Sequence, residues 1–86
     1  MNPLSDDASL PASQPALESE IATIDALLLE TEAQLKERMM AENPAKGIFF
    51  AQEIHALQKE KLVLQTRREL RKTRIRRLLV EKAQAL

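Results

Sequence analysis

Thirteen residues from Arg67 to Leu79, RRELRKTRIRRLL, hold seven arginines or lysines. A cluster of that density can neutralise nucleic-acid phosphates without regard to base sequence, in a strongly salt-dependent way. On a helical wheel Arg67, Arg71 and Arg74 share one face, Arg68, Lys72 and Arg76 the next, and Arg77 stands apart. Charge therefore wraps much of the helix, as in basic helices that enter a groove. Base stacking has no support inside the block, because the only aromatic residues, Phe49 and Phe50, lie well upstream. The same cations can instead be held by the acids of a neighbouring helix, and that reading takes precedence. A membrane-surface role is disfavoured, since the clean polar face of such a helix is missing.

Other reactive side chains are scarce. His55 is the only histidine, and cysteine, tyrosine and tryptophan are absent. Disulfides, thiolate sites and the usual zinc sites are excluded on that count. Serines and threonines have no base in a predictable geometry, and no glycine-rich phosphate loop exists. The expectation is a non-enzymatic protein with no catalytic residue, no metal, no cofactor and no small-molecule substrate.

The elements that must carry the basic block follow from composition and period. Leu, Ala, Glu, Gln, Lys and Arg dominate, the signature of long helices and coiled coils. Residues 1–15 hold three prolines, three serines and two adjacent aspartates, and read as a disordered tail. Ser13, Gln14 and Pro15 resemble a helix start, with Ser13 or Gln14 at the cap and proline in the first turn. From there Leu17, Ile21, Ile24, Leu28, Leu35 and Met39 repeat at three-four spacing, with Thr31 in the gap, predicting a helix over about 16–42. Pro44 and the single glycine, Gly47, break the chain at 43–47. A second helix follows over about 47–84. Its stripe of Phe50, Ile54, Leu57, Leu64, Ile75 and Leu78 is interrupted by Lys61, Arg68 and Arg71, and Leu62, Val63 and Leu70 form a second, poorer stripe.

Charge segregates along the same boundary. Residues 1–45 carry two cations against nine acids, net −7, and residues 46–86 carry eleven cations against four acids, net +7. Folding the chain at Pro44–Gly47 brings together residues whose numbers sum to roughly 90, so Glu18, Glu20 and Asp25 lie beside Arg67, Arg68, Arg71 and Lys72. Such ion pairs, taken as exposed, contribute only about 0–1 kcal/mol each and select orientation more than stability. Phe49 and Phe50 are expected to plug the hairpin against Met39, Met40 or Leu35, with Phe49 as the one turned outward.

The fold expected is therefore all-α: an antiparallel, coiled-coil-like hairpin over 16–86 behind the tail. A chain of 86 residues without disulfides or metal has a thin stability margin, so a dimer or a partner helix is expected to complete its core. The longer second helix is expected to leave Ile75, Leu78, Leu79 and Val80 as an unpartnered overhang. The layout resembles, in architecture alone, several small bacterial helical hairpins, among them co-chaperones and bundle-forming nucleic-acid binders. That likeness transfers no residue role. The leading functional expectation is an adaptor, assembly factor or chaperone-like module that contacts its partner through Phe49, Phe50, Ile54, Leu57, Ile75, Leu78 and Leu79. The alternative is nucleic-acid binding through Arg67, Arg71, Arg74, Arg76 and Arg77. No secretory signal or membrane-spanning run is seen, and a cytoplasmic location is expected.

Overall fold

Two long helices run antiparallel in the computed structural model, which describes residues 10–84. The expected disordered tail falls mostly on residues 1–9, outside the described residues. Helix α1 spans Gln14–Ala41 and helix α2 spans Ala51–Gln84, with a short 3-10 turn at Pro44–Lys46 between them.

Helix α1 starts where proline permits it. Ser13 is extended (φ −123°, ψ 127°) and Pro15 occupies the first turn, where no backbone donor is required. The serine hydroxyl makes no capping bond. The Leu17 N–H donates to the Ser13 carbonyl (3.0 Å), and Gln14 Nε2 donates to Glu18 Oε1 (3.0 Å).

The break at Pro44 and Gly47 forms a tight, hydrogen-bonded loop. Asn43 and Ile48 exchange both backbone bonds, each 2.9 Å, as an isolated antiparallel bridge. Gly47 closes the 3-10 turn by donating its N–H to the Pro44 carbonyl (3.1 Å). Its backbone is left-handed (φ 70°, ψ 25°), a conformation costly for a residue with a Cβ. No heavy atom lies within 4 Å of a Cβ built there, so only backbone strain opposes a side chain. Gly47→Ala is accordingly expected to cost about 1 kcal/mol in urea unfolding, and Gly47→Asn less, since asparagine tolerates this conformation.

The loop corrects the expected start of the second helix. Helix α2 begins at Ala51, not 47, because Ile48 is drawn into the bridge with Asn43 and residues 49–50 are not helical. The Glu42 carboxylate accepts the Phe50 N–H (3.1 Å), and the Ile54 N–H donates to the Phe50 carbonyl (2.8 Å). A residue at the end of α1 thus takes up an unpaired donor at the start of α2.

Four ion pairs fix the register between helices: Arg38–Glu53, Glu32–Lys61, Asp25–Arg68 and Glu20–Arg71. Their residue numbers sum close to the expected value of roughly 90, which a short helix–helix connection imposes. The seam is narrow. Among the described residues, the buried hydrophobic side chains are Leu17, Ile24 and Leu64, joined by Thr31 and Arg71. Thr31 is tolerated because its Oγ1 donates to the Leu27 carbonyl (2.8 Å).

Two expectations about the seam's ends are corrected. Met39 and Met40 do not fill the core; both are exposed, because half-buried Phe50, beneath Arg38, closes that end instead. The expected overhang is also shorter. Helix α1 starts early enough that Ile75 and Leu78 are half-buried, and only Leu79 and Val80 of the four stand exposed.

Candidate interaction surface

The fold divides the basic block into spent and unspent charge. Arg68 Nε donates to Asp25 Oδ1 (2.6 Å) and lies 3.8 Å from Glu69. Lys72 is 3.9 Å from Glu69, on its own helix. Arg71 enters the seam itself: its side chain is 0% exposed, its Nε donates to Glu20 Oε1 (2.8 Å), and its Nη1 donates to the Arg67 carbonyl (2.9 Å). Of the expected pairings, Arg68 and Arg71 reach acids of α1. Arg67 and Lys72 do not, and Glu18 is turned toward Gln14.

Within the described residues, Arg67, Arg74, Arg76 and Arg77 have no carboxylate within ion-pair distance. Arg76 Nη2 donates to Thr73 Oγ1 (3.0 Å). The Nε of Arg74 is buried without a hydrogen-bond partner, an unusual expense for a polar group. Lys59, Glu30 and Glu37 likewise have no ion-pair partner there, Glu30 being approached only by Gln34 Nε2 (3.5 Å).

The partner-contact residues expected from sequence separate into two groups. Phe49 and Leu79 are exposed, whereas Phe50, Ile54, Leu57, Ile75 and Leu78 are half-buried. Arg38 Cζ sits 5.5 Å from the Phe50 ring centroid, a cation–π arrangement that shields this aromatic. His55 is exposed on α2. The described residues hold no cluster of three or more metal-ligating side chains, and no helix among them is long and apolar enough to cross a membrane.

Sequence reasoning underrated one surface. Leu62, Val63, Thr66, Arg67 and Leu70 line a shallow groove on α2, away from the buried seam. Leu62 is 65% exposed. A second groove, lined by Thr73, Arg76, Arg77, Val80 and Glu81, continues it toward the C-terminal end. The signal was available in the seven-residue spacing of Val63 and Leu70, which places them on one edge of the helix. At the other end of the molecule, exposed Met39, Met40, Ile48 and Phe49 form an apolar tip.

No family model, curated protein or solved structure matches this chain.

Proposed function

We propose that the hairpin is a non-enzymatic protein–protein interaction module, an adaptor, assembly factor or chaperone-like subunit acting in the cytoplasm, which buries a partner's apolar helix face. One observation carries this reading. Among the described residues three large apolar side chains are fully packed, whereas nine stand exposed, from Leu29 to Val80. Hydrophobic surface contributes stability in proportion to the area removed from water, so these nine side chains still have stabilisation to gain from a partner. The exposed residues concentrate on the outer side of α2 and at the loop end, surfaces a helix can reach.

The test is retention of a protein from nuclease-treated native lysate on the full chain, compared with Leu62→Glu and Phe49→Ser. A partner retained by the wild type should be lost, by at least about tenfold, on one of these variants. Retention indifferent to both would sink the reading, as would no saturable retention at all.

A second reading rests on Arg67, Arg74, Arg76 and Arg77, whose charge is not spent on carboxylates in the described hairpin. Phosphate binding by these four would fall steeply with salt. Titration with mixed-sequence DNA and RNA decides it: no binding at low salt eliminates nucleic acid.

A further inference from the structure

We infer that the outer edge of α2 is covered by α1 of a second copy of this chain, giving a reciprocal, two-fold pair of hairpins. The inference rests on the interaction-module reading and names the occupant of that edge.

Two clefts establish which edges of the helices share a side. Asp25, Leu28 and Glu32 face Gln65, Arg68 and Glu69 across one of them. On the other side Gln34, Glu37 and Arg38 face Glu53, Ala56 and Leu57. Residues seven apart stay on one edge, drifting by about 20° per heptad. The Glu37 edge of α1 therefore continues through Glu30 to Thr23, and the Ala56 edge of α2 continues through Val63 to Leu70. All these residues lie on the same broad side of the hairpin.

The two edges complement each other. The α2 edge presents Val63 and half-buried Leu70, flanked by Lys59 and Arg67, cations without a carboxylate partner among the described residues. The α1 edge presents the small side chains Thr23 and Ala26, with Glu30 and Glu37 lacking a cation there. A two-fold axis parallel to the helices lays each α1 antiparallel over the other copy's α2, at the height of the intramolecular register. Lys59 then stands between Glu30 and Glu37 of the second copy, and Arg67 lies within side-chain reach of Glu30. At that height Leu70 meets Thr23, and Val63 falls between Ala26 and Glu30. The same contacts form twice, as two-fold symmetry requires, and the product is a closed four-helix bundle.

The area is sufficient for a modest affinity. An edge from Ala56 to Arg77 is about 32 Å long, and two helices are about 20 Å wide, so roughly 600 Å² per copy is covered. The total of about 1,200 Å² lies at the lower limit of stable specific interfaces.

The test is sedimentation equilibrium of the full chain up to about 100 μM, with far-ultraviolet circular dichroism to confirm helicity. The wild type should reach dimer mass. Val63→Glu should raise the dissociation constant at least about tenfold. The charge reversals keep the test open if that variant fails to fold, because none of the four reversed residues forms an ion pair among the described residues of its own hairpin. Glu30→Lys with Glu37→Lys, and Lys59→Glu with Arg67→Glu, should each be monomeric alone, and an equimolar mixture should restore the dimer. A wild type that stays monomeric and helical throughout overturns the pairing. So does a dimer indifferent to every one of these changes. If the chain is monomeric yet Leu62→Glu still abolishes partner retention, the interaction-module reading stands and only the second copy is refuted.

Discussion

Glu20→Ala is expected to lower the unfolding free energy by about 3 kcal/mol, several times the effect of breaking any other ion pair in the hairpin. The reason is where Arg71 sits. Its side chain is 0% exposed, and the Glu20 side chain only 16%. Removing the carboxylate leaves a guanidinium in the seam with the Arg67 carbonyl still bonded to it but no counter-charge from Glu20. Asp25→Ala supplies the contrast. The Arg68–Asp25 contact is shorter, 2.6 Å against 2.8 Å, yet its side chains are 32% and 48% exposed, so its loss should cost only about 0.5 kcal/mol. Burial and not distance ranks the two pairs. Replacing the buried pair with apolar residues, Glu20→Leu with Arg71→Met, should return stability to near the wild-type value, since both charges and their desolvation cost leave the seam together. Urea unfolding followed by circular dichroism at one fixed protein concentration measures all three. A cost below about 1 kcal/mol for Glu20→Ala would show that water reaches Arg71.

Ile24→Ala should cost about as much, roughly 3 kcal/mol, by a different mechanism. Ile24 is fully buried and belongs to a core of three large apolar residues among those described. Truncation removes transfer free energy and leaves a cavity in a two-layer seam with few neighbours able to collapse into it. Domains of this size are stable by only about 5–10 kcal/mol, so the loss should shift the urea midpoint far toward zero. Leu29→Ala is the control: Leu29 lies five residues along the same helix but is 72% exposed, and its truncation should change stability by no more than about 0.5 kcal/mol. Equal effects at the two positions would mean that α1 presents a different face to α2.

Read from sequence, both ion pairs carried the same small weight. The hydrophobic period of α1, the acid-to-base switch along the chain and the two backbone breakers are local or additive signals. They were enough to place both helices, the reversal at Pro44–Gly47 and the antiparallel register, because a short connection leaves one way to bring the stripes together. Three features needed the third dimension. The start of α2 at Ala51 depends on Asn43 and Ile48 exchanging backbone bonds, a pairing that spacing alone does not reveal. The apolar groove at Leu62, Val63 and Leu70 was visible as a stripe, but only the seam's position shows that it is left over. The fate of each arginine depended on angle and depth: Arg71 points into the seam and is buried, Arg68 meets an acid at its rim, and Arg67 finds none in the described hairpin. Charge and period are properties of the chain. Desolvation belongs to the packed pair of helices, and it makes Arg71 structural while Arg67, Arg74, Arg76 and Arg77 meet no carboxylate in the described hairpin.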